Sequence, residues 1–252
     1  MKFKITLFLC LLNIYIGYSQ AILNTESILK EIDSTLVFNF NIEGDVKIGN
    51  VDLIQFNNSI LIGKKINKHL LRAFFNYEFL SENKSTLSSD FSGQLRYNYQ
   101  IKKNSLYSFL QAQNAKALNL NQRLLFGFGY RQSILNTEKN TNYLDLAFGG
   151  FYENEYYKNN QIEPILVENI RYNINIFNQF QISKKIRFSS MTYFQQNAER
   201  IKDYRVFIET RVYYDLNNLS FYLKTNFRHH STPYIDIIKN DLNSVLGIEF
   251  KL

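Results

Sequence analysis

Apolar and polar residues alternate along almost the whole chain after residue 35. In the stretch IRYNINIFNQFQI, residues 170–182, every second residue is apolar except Asn178, and the intervening residues are polar except Phe177. Successive side chains of a strand point to opposite faces, so this pattern predicts a strand with one apolar and one polar face. Equivalent patterns predict about twelve strands, at roughly 36–48, 51–63, 70–80, 89–101, 105–115, 122–134, 142–153, 167–182, 186–197, 203–215, 218–229 and 241–252.

Such strands fit either a soluble sandwich, whose apolar faces point inward, or an outer-membrane barrel, whose apolar faces point into lipid. Strand length favours the barrel, because these strands reach about 11–13 residues whereas strands of soluble sheets average about 5–6. The connections also favour it. The segments KKINKH, KKNS, LNTEKN, SKK and LNN would form short turns at one end, whereas SENKSTLSS, AKALNLN, ENEYYKNNQIEPIL and HHSTPYIDIIKND would form mostly longer loops at the other.

The N-terminus predicts export. Residues 1–19 join a basic start, MKFK, to a short apolar run and the small residues Gly17 and Ser19, as in a cleaved signal peptide. Residues 20–35 lack alternation and are expected to form a lead-in. The predicted fold is therefore all-β: a transmembrane antiparallel up-and-down β-barrel of about twelve strands over residues 36–252, located in the cell outer membrane.

Composition limits the alternatives. After the signal, no apolar run reaches the length of about 18 residues that a membrane-spanning helix needs. The formal net charge of +7 could suggest nucleic acid, but an export signal argues against that partner. The chain has three histidines, and its one cysteine, Cys10, lies inside the signal, so we expect neither a metal site nor a cofactor.

The polar faces of the strands carry charges that would be costly in hydrocarbon and are expected to line the lumen. Twelve basic positions stand against seven acidic ones, which predicts a net positive, anion-preferring lumen if it is open. The alternative is a paired network that fills a narrow barrel. The main lumen-lining candidates are Arg96, Arg123, Arg131, Arg171, Arg187, Arg205, Glu209, Arg211, Lys224 and Arg228.

The order of landmarks along the chain resembles one known family. They include GNVD at 49–52, KHLLRAFFNYEF at 68–79, SGQLRYNY at 92–99, RLLFGFGYR at 123–131 and the closing TPYIDIIKNDLNSVLGIEFKL. Their order and spacing are similar to those of the salt-stress-induced outer-membrane protein family, whose defining domain is of unknown function. The resemblance implies an exported outer-membrane barrel and no established activity.

Two motifs raise the possibility of chemistry. Gly127 and Gly129 in LFGFGYR lie within a strand, so they are interpreted as relief of crowding rather than as a nucleotide loop. His229, His230 and Ser231 could form the base and nucleophile of a barrel phospholipase, but the sequence specifies neither the orienting partner nor the oxyanion donor that such an enzyme needs. No catalytic residue is predicted.

The leading functional hypothesis is a non-enzymatic barrel that passes small solutes or maintains the envelope under osmotic stress. The alternatives are a lipid-modifying barrel enzyme and a surface-binding barrel that uses loops 154–166 and 230–241. Expected partners are outer-membrane lipid and lipopolysaccharide, small solutes, and the barrel-insertion machinery. That machinery would read the apolar final strand, which carries Phe250 and Leu252.

Overall fold

The computed structural model describes residues 36–47, 53–83, 85–137, 142–159, 162–235 and 237–251. The predicted signal peptide and lead-in, 1–35, lie outside the described residues. The described chain forms twelve strands and one short 3-10 helix, Lys116–Leu118. The strands are β1 Leu36–Lys47, β2 Leu53–Ile66, β3 His69–Glu82, β4 Ser85–Ile101, β5 Asn104–Ala115, β6 Leu120–Asn136, β7 Tyr143–Asn159, β8 Ile162–Gln181, β9 Ile186–Asn197, β10 Tyr204–Leu216, β11 Leu219–His230 and β12 Asn240–Lys251.

Each strand pairs antiparallel with its neighbours in the chain, and β12 pairs with β1 to close the sheet into a barrel. The closing register places Phe40 opposite Phe250 and Ile42 opposite Ile248. Closure leaves no free sheet edge, which is the arrangement that a membrane-spanning sheet requires. The predicted twelve-stranded, up-and-down, antiparallel barrel is confirmed.

Alternation along each strand separates the two surfaces of the barrel. In β8, Ile170 and Tyr172 are 59% and 61% exposed on the outer surface, whereas Arg171 and Asn173 are buried inside. The apolar face of the opening stretch therefore points outward, as predicted for a barrel in lipid. Among the described residues, no helix is long and apolar enough to cross a membrane.

One end of the barrel, here the turn end, carries tight connections, which include residues 67–68, 102–103 and 217–218. Asn67, Lys102 and Asn217 adopt positive φ there, and asparagine tolerates this left-handed region better than most residues. The opposite end, the loop end, carries residues 198–203 and 231–239.

Two segments predicted as long outer loops are strands instead. Within 81–89, only residues 83–84 separate β3 from β4, and within 153–166 only residues 160–161 separate β7 from β8. Turn-forming residues such as Asn159 and Pro164 favoured a loop. Pairing overrides them, because the register shift between Tyr157 and Asn159 creates an irregularity in the ladder, where a proline is tolerated.

Apolar side chains also fill part of the interior. A buried cluster inside β5 and β7–β10 consists of Tyr107, Tyr143, Ala147, Phe177, Met191, Tyr193 and Phe207. The glycines of LFGFGYR make room for this layer. A Cβ on Gly129 would lie 2.3 Å from the carbonyl oxygen of Phe148 and 2.5 Å from the hydroxyl of Tyr107, so no side chain fits there.

The outward orientation of Ile174 can be tested directly. Ile174 lies opposite Phe148 and Phe194 on the two neighbouring strands and is 46% exposed. We expect Ile174→Arg to lower the free energy of unfolding in vesicles by about 2–4 kcal/mol, the cost of a cation near the bilayer midplane. Urea titration of vesicle-folded protein, read by the mobility of unheated samples on a denaturing gel, measures it.

Ile201→Arg is the matched control, because Ile201 is 83% exposed in the connection between β9 and β10. This variant should unfold like the unsubstituted protein. Equal destabilisation by the two substitutions would contradict the orientation of β8.

Candidate functional site: the charged interior and its mouth

Inward side chains near the loop end form a compact ion-pair network. It consists of three arginines and three carboxylates, Arg123, Glu153, Glu155, Arg171, Asp203 and Arg205, and is called the mouth network below. All six residues are at most 4% exposed. Their formal charges cancel, which is the condition under which buried charges are tolerated.

Glu153 is the centre of the mouth network. One of its carboxylate oxygens lies 2.6 Å from Nη2 of Arg123 and 2.7 Å from Nη1 of Arg205. The other accepts a hydrogen bond of 2.9 Å from Nε of Arg171. Glu155 forms an ion pair with Arg123 at 3.0 Å and accepts a hydrogen bond from Arg205 at 3.2 Å. Strand β7 thus provides two carboxylates that connect arginines from three other strands.

The loop 231–239 reaches over the mouth network through Tyr234. The hydroxyl of Tyr234 donates to Asp203 at 2.9 Å and accepts from Arg171 at 2.9 Å. It also accepts from Asn169 at 2.9 Å and from Arg200 at 3.1 Å. A single phenol therefore ties the loop to β8 and to the connection between β9 and β10.

The same loop packs against the opposite wall of the barrel. Tyr234, Ile235 and Ile237 lie against an apolar cluster that consists of Ala115, Leu118, Leu120 and Tyr157. The loop leaves β11, whereas this cluster belongs to β5–β7 and their short helix, nearly half the barrel away in strand order. The loop consequently crosses the mouth, and we call its described residues, 231–235 and 237–239, the lid.

Two titratable groups at the mouth lie outside the strands. Burial acts to raise the pKa of Asp203, but the charge of Arg171 and the hydrogen bonds from Arg171 and Tyr234 outweigh that effect and hold the pKa below its usual range. Burial raises the pKa of the Tyr234 phenol. Asp203 therefore stays ionised and Tyr234 stays protonated, which is the pairing that their hydrogen bond requires. The stabilisation from Asp203 is present above the ordinary aspartate pKa and is lost as the pH falls through the lowered value.

The other predicted lumen charges also point inward. Arg131 lies 2.8 Å from Asp145, Arg187 lies 2.9 Å from Asp215, and Arg211 lies 2.7 Å from Glu209. Lys224 pairs with Glu43. Arg96 and Arg228 lie over the rings of Tyr107 and Phe207, at 4.4 and 5.3 Å from the ring centroids.

The predicted excess of positive charge is absent among the side chains that the structure describes. Of the twelve bases and seven acids predicted to point inward, Lys47, Lys251 and Asp45 lie outside that described set. The sequence prediction missed the inward carboxylates Glu153, Glu155, Asp203, Asp215 and Asp241. Described inward bases number ten: Arg72, Arg96, Arg123, Arg131, Arg171, Arg187, Arg205, Arg211, Lys224 and Arg228. Described inward acids number eleven: Glu43, Glu78, Asp90, Asp145, Glu153, Glu155, Asp203, Glu209, Asp215, Asp241 and Glu249. Continuing the alternation of Phe151 through Glu153 and Glu155 would have assigned two of the missed acids to the interior.

Two small cavities of about 30 and 20 Å³ lie in the barrel interior, and both are lined by polar and apolar side chains. The larger cavity has room for about two water molecules. The side-chain oxygens of Asn173, Asn175 and Gln195 line it and have no donor among the described residues. Water is the ligand that buried carboxamides in so small a space can take.

The phospholipase hypothesis is not supported by the local geometry. His229 points outward, where its Nδ1 lies 2.7 Å from Asn240. His230 points inward, and its Nε2 lies 3.2 Å from Arg205 and 3.4 Å from Asp203. The hydroxyl of Ser231 is engaged with backbone atoms: it donates to Lys202 at 2.6 Å and accepts from Tyr204 at 2.8 Å. Ser231 therefore links the start of the lid to the connection between β9 and β10. Among the described residues, no group of histidines, cysteines and carboxylates suits a metal ion.

Removing the central carboxylate tests the mouth network. We expect Glu153→Gln to lower the free energy of unfolding in vesicles by about 3–5 kcal/mol, because it leaves buried arginines undercompensated. Glu168→Gln on the next strand removes an exposed carboxylate that bonds Tyr152 and Asn154, and should cost under about 1 kcal/mol. Urea titration of both variants compares them, and equal costs would contradict a structural role for the network.

The fold of this chain is similar to that of several solved proteins. The translocator domain of the autotransporter NalP from Neisseria meningitidis superposes with a TM-score of 0.55 at 7% identity, over 90% of this chain and 92% of that one. The NanC porin gives 0.49 at 11% identity, over 86% and 100%. An outer-membrane channel from Pseudomonas putida F1 gives 0.49 at 7% identity, over 92% and 99%. At these identities the likeness to NalP concerns the fold alone.

The amino-acid sequence matches one protein family. No curated protein matches the chain significantly. The salt-stress name suggested by the landmarks stays a prediction. A family model described as "Protein of unknown function, DUF481" matches residues 42–251, which is nearly all of the barrel. The chain belongs to this family of unknown function.

Proposed function

We propose that the protein is a non-enzymatic outer-membrane barrel that forms a narrow polar channel for water and small solutes, closed at its outer mouth by the lid. Outer-membrane barrels have short periplasmic turns, which assigns the turn end to the periplasm and the lid to the cell surface. Surrounding lipid and, during assembly, the insertion machinery are the partners that this proposal implies.

Two observations support the proposal together. The interior is rich in polar side chains, and the hydroxyl of Tyr234 holds the lid over it. Buried ion pairs can often be replaced by apolar side chains without loss of stability. A barrel filled only for stability would therefore need neither the mouth network nor amide-lined cavities. A path for small solutes needs polar walls. Beneath the lid, the aromatic layer that includes Tyr107 and Phe177 narrows this path to cavities of about 30 and 20 Å³, so conduction requires interior side chains to move as well as the lid.

The proposal predicts that loosening the lid raises conductance. Tyr234→Phe removes the hydroxyl that bonds Asp203 and Arg171. A hydrogen bond to a charged group contributes about 1.5–3 kcal/mol, so the fraction of channels with an open lid should rise about tenfold or more. Single-channel recording in planar bilayers measures this open fraction.

Tyr204→Phe is the matched control, because the ring of Tyr204 lies on the outer surface against Phe194 and His229. It should behave like the unsubstituted protein. If neither the unsubstituted protein nor Tyr234→Phe conducts, the channel proposal fails, and the role of an envelope-maintaining barrel with a filled interior is favoured.

Ion selectivity should be weak, because inward bases and acids nearly balance. Asp215→Asn should shift the reversal potential towards anion preference, since it removes one acid while Arg187 keeps Glu249 at 3.5 Å. The shift should be clear across a gradient near 0.1 M salt and should shrink near 1 M, where the Debye length is about 3 Å. A strong anion preference of the unsubstituted protein would contradict the charge balance.

A further inference from the structure

The outer surface of the barrel carries a groove that the channel does not use. It crosses the outward faces of β1–β6 and has a volume of about 640 Å³. Six of its lining residues form one row, in which each member lies opposite the next across a strand pair. The row reads Phe40, Ile60, Phe75, Gly93, Ala112 and Leu124.

Two small residues at neighbouring positions produce the depression. Gly93 and Ala112 are paired across β4 and β5, between the bulky side chains of Phe75 and Leu124. Strands lie about 4.8 Å apart, so these two bulky side chains are separated by roughly 14 Å along the wall. The floor of the depression is backbone and a methyl group.

Packing does not require glycine at position 93. A Cβ there would meet its nearest atoms, the carbonyl of Phe74 and the ring of Phe75, at an ordinary 3.6 Å. Gly127 and Gly129 differ, because added Cβ atoms would lie within 2.5 Å of neighbouring atoms. A side chain at position 93 would therefore fit beside the ring of Phe75, and glycine leaves that space on the outer surface unfilled.

The rim of the groove towards the loop end is polar but uncharged. Asn58 lies opposite Tyr77 one step beyond the apolar row. Asn121 and Gln122 add further carboxamides at the start of β6, whereas the carboxamide of Asn114 accepts from the backbone N–H of Phe91 and donates to Asp90. None of the described residues that line the groove is charged. The groove thus has an apolar floor and neutral hydrogen-bonding groups at its outer end.

We propose that this groove binds one membrane phospholipid, with an acyl chain along the row of Phe75, Gly93 and Ala112 and the ester region at the carboxamide rim. The inference rests on membrane insertion, which the proposed function includes. Amide N–H groups donate to ester and phosphate oxygens. A polyanionic glycolipid would call for lysines or arginines at the rim, as basic pockets for acidic headgroups do, so the neutral rim favours a zwitterionic phospholipid.

Filling the groove tests the proposal. Gly93→Leu places a side chain on its floor. Gly150→Leu is the matched control: Gly150 is also outward and mid-strand, its added Cβ would have its nearest contact at 3.4 Å, and it lies on β7 outside the groove. Native mass spectrometry of the detergent-purified full chain with dipalmitoyl phosphatidylethanolamine measures how much lipid stays bound.

One bound phospholipid should persist in the unsubstituted protein and in Gly150→Leu, and its affinity should fall about tenfold in Gly93→Leu. Equal retention by all three would overturn the proposal. Preferential capture of lipopolysaccharide would overturn the choice of lipid. A dimer that Gly93→Leu dissociates would assign the groove to a second copy of the chain and would also overturn it.

Conductance separates this inference from the proposed function. Gly93→Leu should conduct like the unsubstituted protein, because the groove lies outside the barrel. Equal lipid retention by all three proteins with normal conductance would overturn the lipid site alone, whereas selective loss of lipid from Gly93→Leu in a protein that does not conduct would overturn the channel alone.

Discussion

Closure of the sheet is the constraint on which the rest of the structure depends. In hydrocarbon no water satisfies backbone N–H and C=O groups, so a spanning sheet must pair every edge. The pairing of β1 with β12, with Phe40 opposite Phe250, removes the last free edge. It also fixes the strand number at twelve, which gives a barrel between the filled eight-stranded and the open sixteen-stranded types.

A barrel of this width forces its inward side chains into contact with one another. Arginines from β6, β8 and β10 meet the carboxylates of Glu153 and Glu155 from β7, and their charges neutralise one another in the buried interior. The same proximity lets Tyr234 reach from the lid to Asp203 and Arg171. The contacts of the mouth network and of the lid therefore both depend on the small width of the closed barrel.

The outer surface follows the opposite rule. Lipid contact favours apolar, bulky side chains such as Ile170 and Phe126, and most of the outward positions have them. Departures from this rule are informative because hydrocarbon penalises unpaired carboxamides. The groove places the carboxamides of Asn58, Asn121 and Gln122 near Gly93 and Ala112, so this part of the wall differs from a plain lipid-facing surface.

The sequence alone determined the strand period, the twelve strands, the outward face of each strand and the inward position of residues such as Arg171 and Arg205, because alternation is a local property of the chain. It missed Glu153 and Glu155, since Asn159 and Pro164 resemble a loop and only pairing between β7 and β8 extends the strands. It also could not find the lid, whose Tyr234 bonds Asn169 from 65 residues away. Charge balance, the lid and the groove depend on which residues the register brings side by side, and register belongs to the closed sheet rather than to any one strand.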